Sequence, residues 1–356
     1  MSMMVDAAFW SGKRVFLTGH TGFKGGWLSL WLQRMGANVT GYSLSPPSSP
    51  SLFEVAAVAK GMTSLIGDIR DPSTLQRAID FSQPEIIFHL AAQPLVRQSY
   101  IAPLETYDVN VMGTLHLLES IRNSSSVKAV VIVTTDKCYE NKEVQSYGFT
   151  ESDPMGGHDP YSSSKGCTEL VASAYFRSFL NEKNIALATA RAGNVIGGGD
   201  WALDRLVPDI LRAIDRKEPI AIRNPNATRP WQHVLEPLSG YLMLAEKLYN
   251  AGFEFSGAWN FGPEQEDNRT VDWIVTKLIS GQNSPITWYQ DELESPHEAK
   301  YLGLNITKAK DLLKWVPKLT LESALEKVNK WHKSWLNNQD MQKICIVQIE
   351  EYMRQD

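Results

Sequence analysis

Residues 14–35 read RVFLTGHTGFKGGWLSLWLQRM. An apolar run that starts at Arg14 ends in a turn containing Gly19, Gly22 and Gly25. Beyond the turn, apolar side chains recur at helical spacing, namely at Trp27, Leu28, Leu30, Trp31, Leu32 and Met35. The stretch therefore predicts a strand, a glycine-rich turn and a helix in immediate succession.

Five more short apolar runs follow, and helical patterns separate several of them. They cover Asn38–Tyr42, Thr63–Ile66, Ile86–Leu90, Ala129–Thr134 and Ala186–Ala190. Runs rich in Val, Ile and Leu on both faces indicate parallel strands that helices cover on both sides. The sequence thus predicts an α/β fold of the Rossmann type, with a doubly wound parallel sheet.

The pattern loosens after Asn194, where the loop-rich stretches GGGDWALDR, RNPNATRPW and FGPEQEDNRT occur. We expect residues 1–194 to form most of the Rossmann domain. Residues 195–340 are expected to form a smaller, mixed substrate lobe, with some segments returning to the sheet. Residues 341–356 are expected to form a C-terminal helix or tail.

The composition excludes several classes of protein. A formal charge of −5 with scattered Lys and Arg argues against nucleic-acid binding. No apolar run approaches the ~20 residues that span a bilayer, and the first residues lack the features of a signal peptide. We therefore expect a cytoplasmic protein with no membrane partner. The cysteines, Cys138, Cys167 and Cys345, are too widely separated to predict a disulfide framework or a metal site.

The glycine turn is typical of a dinucleotide site. Glycines permit a tight turn and close backbone approach, and the helix that follows offers free N–H groups to a pyrophosphate. At the end of the second strand, residues 42–45 supply neither an acid for ribose hydroxyls nor an Arg for a 2′-phosphate. The choice between NAD and NADP stays open there, and the missing Arg favours NAD. Asp68 and Ile69 follow the third strand, where Asp68 either meets the adenine or caps a helix.

Tyr161 and Lys165 lie one helical turn apart in DPYSSSKGCTELVASAY. An ammonium group beside a phenol lowers the phenol pKa from about 10 towards neutrality, as a proton acceptor for a sugar hydroxyl requires. Thr134, Thr135, Asp136 and Lys137 follow a buried strand at the carboxyl edge of the sheet, where ligands of such folds bind. Together these residues indicate an active site.

Several of these motifs in one chain resemble the extended short-chain dehydrogenase/reductase family. They are the glycine turn, HLAA at His89–Ala92, Asn110 before Gly113 and Thr114, the strand ending at Thr135, and the pair Tyr161 and Lys165. Within the family, TTDKCY and HLAAQPLVRQSY look like those of the nucleotide-sugar dehydratases. The resemblance implies a homodimer or homotetramer with NAD as cofactor. It also implies CDP-glucose as substrate, in deoxysugar biosynthesis of the O-antigen type.

The resemblance also implies roles for individual residues. Catalysis would fall to Thr135, Asp136, Lys137, Tyr161 and Lys165. The cofactor would contact Gly19, Thr21, Gly22, Phe23, Lys24, Gly25, Asp68, Ile69, Leu90, Ala91, Ala92, Gln93, Thr134, Tyr161 and Lys165. The substrate nucleotide and its phosphates would contact Asn194, Arg205, Arg229 and His297.

The implied reaction oxidises C4 of the sugar, removes the C5 proton and the C6 hydroxyl, and returns the hydride to C6. Tyr161 would accept the C4 hydroxyl proton, Thr135 would bind the C4 oxygen, and Asp136 would protonate the leaving hydroxyl. Related dehydratases usually carry Glu where Lys137 stands. A lysine base must be neutral, and lowering its pKa from about 10.4 to about 7 costs more than about 4 kcal/mol. We favour Lys137 as the C5 base over a cation that stabilises the enolate.

Two other functions remain open from the sequence. A nucleotide-sugar 4-epimerase or reductase would share Tyr161 and Lys165 but would need no acid–base pair beside Thr135. A dinucleotide-sensing protein without turnover would keep only the fold. The presence of Thr135 together with Tyr161 and Lys165 argues against such a decayed site.

Overall fold

The computed structural model describes residues 4–143, 148–280, 286–291 and 299–354. Its centre is a seven-stranded sheet in the order β11-β6-β5-β4-β1-β2-β3, in which every neighbouring pair is parallel. With labels in chain order, these strands are β1 Arg14–Thr18, β2 Asn38–Ser43, β3 Thr63–Ile66, β4 Ile86–His89, β5 Ala129–Val133, β6 Ala186–Arg191 and β11 Gly257–Asn260. The prediction of a Rossmann-type parallel sheet is therefore confirmed.

The first six strands lie where the apolar runs predicted them, within one or two residues at each end. The sequence reading missed β11, whose residues GAWN are too short and too weakly apolar to signal a strand alone. It pairs in parallel with β6 at the edge of the sheet. A segment of residues 195–340 thus returns to the sheet, while the proposed division of the chain into domains stays a prediction.

Alternate residues of the central strands enter different cores, as a strand with a side-chain period of two requires. On β1, Val15 and Leu17 belong to one apolar cluster and Phe16 belongs to the other. On β5, Val131 faces the first cluster and Val130 faces the second. Both faces of the sheet are therefore buried under helices.

The helices differ widely in length, from a single turn to more than four turns. They are α1 Ala7–Trp10, α2 Phe23–Arg34, α3 Leu52–Val55, α4 Pro72–Ser82, α5 Val96–Ile101, α6 Pro103–Tyr107, α7 Gly113–Arg122, α8 Pro160–Tyr175, α9 Leu206–Arg216, α10 Leu235–Ala251, α11 Val271–Ser280, α12 Leu321–Leu336 and α13 Met341–Arg354. Helices α2, α10 and α13 cover one face of the sheet, and α4, α7 and α8 cover the other. Among the residues described, no helix is long and apolar enough to cross a membrane.

A second lobe sits beyond the carboxyl edge of the sheet and has an apolar core of its own. Ile210, Ile222, Ile274 and Val328 are among the side chains of this core. Its short strands are β7 Val195–Ile196, β8 Ile220–Ile222, β9 Thr228–Pro230, β10 Gln232–His233, β12 Asn268–Thr270 and β13 Trp288–Gln290, which form three two-stranded pairs. The lobe leaves a cleft between itself and the sheet edge.

A buried carboxyl group links helix α10 to the C-terminal helix α13. Glu236 is 1% exposed and accepts hydrogen bonds from the Tyr352 hydroxyl at 2.7 Å and from the amides of Lys318 at 3.0 Å and Leu319 at 2.7 Å. Burial raises the pKa of Glu236 to about 7, although these hydrogen bonds oppose the rise. Its proton is therefore taken up as the chain folds.

We expect Glu236→Gln to flatten the fall of Tm with rising pH. A carboxyl whose pKa is raised in the folded protein stabilises the fold below its unfolded pKa, and this stabilisation is lost as the pH rises through the folded pKa of about 7. Thermal unfolding between about pH 5 and about pH 8 measures the effect. The exposed Glu326→Gln is the control, and a slope unchanged in Glu236→Gln would contradict the assignment.

Candidate active site

A cleft of about 1890 Å³ lies at the carboxyl edge of the sheet. The ends of β1, β4 and β5 contribute to one wall, together with the first turn of α2 and the start of α8. Residues 193–223, which lead into the second lobe, contribute to the opposite wall. This is the position in which an open parallel sheet binds its ligands.

The glycine turn between β1 and α2 has no room for side chains. Gly19 has a φ of +79°, and a Cβ there would lie 2.7 Å from the Ala91 nitrogen. A Cβ on Gly25 would lie 2.1 Å from the Gly19 carbonyl oxygen. Gly22 is the N-cap of the 12-residue helix α2. The turn therefore brings the start of this helix to the cleft, where unpaired backbone N–H groups suit a pyrophosphate.

Most of the residues predicted to contact a cofactor line this cleft. They are Gly19, Thr21, Gly22, Phe23, Lys24, Gly25, Asp68, Ile69, Leu90, Ala91, Ala92, Thr134, Tyr161 and Lys165. Gln93 does not fit the prediction, because its side chain is turned towards the α5–α6 segment. Its amide nitrogen donates to the Thr106 hydroxyl at 2.9 Å and to the Leu95 carbonyl at 3.1 Å. Gln93 therefore supports the wall without lining it.

Asp68 is held by Arg70 beside the outer end of the cleft. The two side chains form a two-pronged ion pair with distances of 2.6 and 2.9 Å, and hydrogen bonding from Arg70 lowers the pKa of Asp68. The N-cap of the following helix α4 is Asp71. The capping alternative for Asp68 is therefore wrong, and its carboxylate stays at the cleft.

Thr135, Asp136, Tyr161 and Lys165 converge at the end of strand β5. Asp159 accepts hydrogen bonds from the Ser162 amide at 2.9 Å and hydroxyl at 2.5 Å, and so begins helix α8 directly before Tyr161. The Lys165 ammonium donates to the Val133 carbonyl at 3.2 Å. Tyr161 and Thr135 line the same cleft, and Thr135 acts on the pKa of the Tyr161 phenol. Strand end and helix thus place all four groups in one pocket.

The protein alone does not lower the pKa of Tyr161 as the sequence predicted. Burial raises this pKa to about 12, and the hydrogen bond with Thr135 and the charge of Arg205 only partly oppose the rise. The Lys165 ammonium donates instead to a backbone carbonyl, and burial lowers the pKa of Lys165 to about 8. Any activation of the phenol must therefore come in part from bound ligands.

Asp136 is 1% exposed and packs directly against Gly193. Its Oδ1 accepts a hydrogen bond from the Thr135 hydroxyl at 3.0 Å, whereas Oδ2 has no hydrogen-bond partner among the described residues. A Cβ on Gly193 would lie only 1.8 Å from Oδ2. Gly193, which the sequence reading overlooked, is thus the residue that leaves space for this carboxyl group. Lys137 lines the cleft next to it and is half-buried.

Lys24 places a further titratable amine in the cleft. Burial, together with the nearby charges of Arg205 and Lys165, lowers the pKa of Lys24 to about 7, and Asp136 opposes this shift. From the sequence, Lys24 was expected only to line the pyrophosphate. Its proximity to Arg205 could not be predicted, because it depends on how the second lobe packs against α2. Lys24, Lys165 and Arg205 therefore bring three basic side chains close to Asp136.

The residues predicted to bind the substrate lie mainly on the second wall. Asn194, Arg205 and Arg229 all line the cleft. Arg205 pairs with Asp200 at 2.8 Å, and Arg229 is 5% exposed and donates to the Thr228 carbonyl at 3.0 Å. Asn194 has a φ of +36°. His297 lies outside the described residues.

Residues 16–328 match the family described as GDP-mannose 4,6 dehydratase. The chain belongs to this family. It is also 54% identical to the CDP-glucose 4,6-dehydratase of Salmonella typhimurium, over 98% of this chain and 99% of that protein. A more distant relative, the dTDP-glucose 4,6-dehydratase of Haemophilus influenzae, is 23% identical over 74% of this chain and 81% of that protein.

Solved structures show the same fold at lower identity. The UDP-glucose 4-epimerase of Thermotoga maritima, solved with UDP-glucose, has a TM-score of 0.78 at 22% identity and covers 90% of this chain and 99% of its own. The dTDP-glucose 4,6-dehydratase of Bacillus anthracis, solved in complex with NAD, has a TM-score of 0.74 at 20% identity. It covers 93% of this chain and 100% of its own. At these identities the likeness concerns the fold.

We expect Lys24 to be the first lysine modified by an amine-selective acylating reagent. At about pH 7.5, a pKa of about 7 gives Lys24 a neutral fraction roughly a hundredfold or more above that of an ordinary lysine. Peptide mass spectrometry after brief labelling measures the order of modification. The exposed Lys60 is the internal control, and modification of Lys60 ahead of Lys24 would contradict the lowered pKa.

Proposed function

We propose that this chain converts CDP-glucose into CDP-4-dehydro-6-deoxyglucose and water. The observation that carries the proposal is the convergence of Tyr161, Thr135 and the Asp136 carboxyl in one pocket at the sheet edge. A 4-epimerase has no use for an acid beside Thr135, whereas elimination of a hydroxyl requires one. The 54% identity to a CDP-glucose 4,6-dehydratase over nearly the full length supports the choice of nucleotide.

NAD is the proposed cofactor, and when bound beside the glycine turn it would supply the redox chemistry at C4 and C6 of the sugar. The glycine turn and the start of α2 would hold its pyrophosphate, and Asp68 with Ile69 would face its adenine. The ion pairs of Arg70 favour NAD over NADP, because this guanidinium is not available for a 2′-phosphate. This guanidinium is engaged by Asp68 and lies within 4 Å of Glu105 and Asp108, so carboxylates surround it rather than space for a phosphate.

Tyr161 is proposed to accept the proton of the C4 hydroxyl. The Thr135 hydroxyl binds the same oxygen and holds the sugar in place for oxidation. Lys165 follows Tyr161 by one helical turn on α8, and we propose that its ammonium stabilises the Tyr161 phenolate once the ligands are bound. The positive charge of Arg205 also lowers the pKa of the phenol. These residues accordingly perform the oxidation half of the reaction.

Asp136 and Lys137 are proposed to perform the elimination half. The C4 ketone acidifies the C5 hydrogen, which Lys137 removes in its neutral form. Asp136, whose Oδ2 has no hydrogen-bond partner among the described residues, is the proposed acid that gives a proton to the C6 hydroxyl as the C6–O bond breaks and water leaves. The resulting double bond accepts hydride at C6 and a proton at C5. Lys137 protonates C5 after its amine has exchanged protons with solvent. The proton gained by Tyr161 balances the proton lost by Asp136, so the sugar loses one water molecule overall.

Asn194, Arg205, Arg229 and His297 are proposed to bind the nucleotide and its phosphates. A diphosphate carries negative charge, and guanidinium groups bind it with two parallel hydrogen bonds. The first three of these residues line the wall opposite the glycine turn. The cofactor and the substrate would therefore enter from opposite walls and meet at Tyr161.

The chain is further proposed to act as a homodimer or homotetramer in the cytoplasm, in deoxysugar and O-antigen biosynthesis. Helices α5 and α6 pack on α8 and expose large apolar side chains beside it. Ile101 is 77% exposed, Leu104 85% and Leu170 61%. Exposed apolar side chains that lie together favour a protein interface. Sedimentation equilibrium measures the oligomeric state directly.

The proposal is tested by incubating the purified protein with NAD and CDP-glucose. The expected product is a 4-keto sugar that absorbs in alkali and has lost the mass of one water molecule. A product of unchanged mass with an inverted C4 would identify an epimerase. Bound dinucleotide with no turnover of CDP-glucose or of other nucleotide-glucose compounds would identify a sensor.

Asp136→Asn should stall the reaction after oxidation. An amide cannot supply the proton for the leaving hydroxyl, so kcat should fall at least about a hundredfold, and reduced nicotinamide should accumulate in a single turnover. Stopped-flow absorbance measures both. The exposed Asp80→Asn is the matched control, and unaltered turnover of Asp136→Asn would remove this carboxyl from the mechanism.

Lys137→Met should abolish exchange of the C5 hydrogen with deuterated water. Methionine is an unbranched side chain only one atom shorter than lysine, but it has no amine to remove the proton. Mass spectrometry of the recovered nucleotide-sugar measures the exchange, with the exposed Lys60→Met as control. Exchange at the wild-type rate in Lys137→Met would show that Lys137 is not the base.

A further inference from the structure

A second carboxylate lies beneath the site, on the helix that carries Tyr161 and Lys165. Glu169 follows Lys165 by one helical turn and Tyr161 by two, so all three side chains project from one face of α8. Glu169 is 5% exposed. It was not identified from the sequence, and the proposed reaction assigns it no chemical step. Burying a carboxylate costs free energy unless the group is paired and hydrogen-bonded, so the partners of Glu169 indicate its role.

Glu169 binds two neighbouring strands at the edge where they meet the cleft. Its Oε1 accepts hydrogen bonds from the Thr134 hydroxyl at 2.5 Å and the Arg191 Nε at 2.9 Å. Its Oε2 accepts from the Thr189 hydroxyl at 2.6 Å and an Arg191 terminal nitrogen at 2.8 Å. One carboxylate thus joins α8 to the residue that follows β5 and to the last residues of β6.

Thr134 immediately precedes Thr135 and Asp136 in the chain. A hydroxyl fixed at Thr134 therefore fixes the backbone from which the next two side chains project. The other Arg191 terminal nitrogen donates to the Tyr139 hydroxyl at 2.7 Å. The segment 134–139 is consequently held at both ends by the same ion pair.

Glu169 also acts on the charge of Lys165. Burial lowers the pKa of Lys165, whereas Glu169 and Cys138 raise it. The charge of Lys165 in turn lowers the pKa of Lys24 on α2 and of His89 on β4. Among these groups Glu169 is the strongest influence that favours the protonated amine. Its carboxylate therefore helps to maintain a cation next to Tyr161.

We propose that Glu169 is a positioning residue for the dehydratase reaction, which sets Thr135 against Tyr161 and places a carboxylate one helical turn from Lys165. The inference rests on the proposed function and adds to it a residue that does not touch the substrate. The alternative to this proposal is that the ion pair between Glu169 and Arg191 only stabilises the fold. A structural pair would change Tm but not the pH profile of kcat.

Glu169→Gln is the first test, because it keeps the shape and removes the charge. Since it leaves the Arg191 guanidinium buried without its carboxylate, a second variant combines Glu169→Gln with Arg191→Met and removes both charges. The control is Glu246→Gln. This carboxyl accepts hydrogen bonds from the Trp10 indole at 2.7 Å and the Asp6 amide at 3.0 Å, and neither partner lines the cleft.

In both Glu169 variants, kcat with CDP-glucose should fall at least about tenfold while KM stays within about threefold. The alkaline limb of the kcat profile should move to lower pH, because Lys165 then loses its proton more easily. Glu169→Asp keeps the charge and should restore the limb. Folded variants with a lower Tm but wild-type kcat and pH profile would overturn the proposal, as would a change confined to KM.

One measurement is independent of turnover. Titration of the Lys165 side chain by NMR, assigned by the loss of its signal in Lys165→Met, should give a lower pKa in Glu169→Gln than in the wild type and in Glu246→Gln. An unchanged Lys165 pKa would overturn the electrostatic part of the proposal. Should the wild type fail to turn over CDP-glucose, the proposed function fails, and this titration still tests the role of Glu169.

Discussion

The contact between helix α8 and the end of strand β5 is the constraint on which the site depends. The Lys165 ammonium donates to the Val133 carbonyl, Tyr161 meets Thr135, and Glu169 binds the Thr134 hydroxyl. Strand β5 and helix α8, joined here by residues 32 positions apart, are thereby held in one register. A shift of about 1 Å between them would separate the phenol from the strand-end hydroxyl, and such misplacement costs catalysis heavily.

The sequence predicted those features that depend on local pattern. Six strands, the glycine turn and the helical pair Tyr161 and Lys165 follow from spacing within a few residues. The sequence analysis missed those features that depend on contacts between segments far apart in the chain. Strand β11 forms only because β6 offers an open edge, Gly193 matters only because Asp136 packs on it, and Gln93 turns away because Thr106 and Leu95 bind its amide.

The charges and the burial of the residues in the cleft explain why the protein without its ligands does not lower the pKa of Tyr161. Lys24, Lys165 and Arg205 bring three cationic groups to the cleft, and burial lowers the pKa of Lys24 to about 7 and of Lys165 to about 8. Two diphosphates, one from NAD and one from the proposed substrate, would supply the balancing negative charge. Burial raises the pKa of Tyr161 to about 12. Ligand binding and proton transfer are therefore coupled in this account.

The central claim is that one sugar is oxidised at C4 and reduced at C6 without leaving the cleft between Tyr161 and Asp136. Turnover of CDP-glucose that carries deuterium at C4 tests it most directly. The account predicts a CDP-4-dehydro-6-deoxyglucose in which the deuterium lies at C6 of the same molecule and C5 carries a hydrogen from solvent. Deuterium that is lost to solvent, or that returns to C4, would contradict the account.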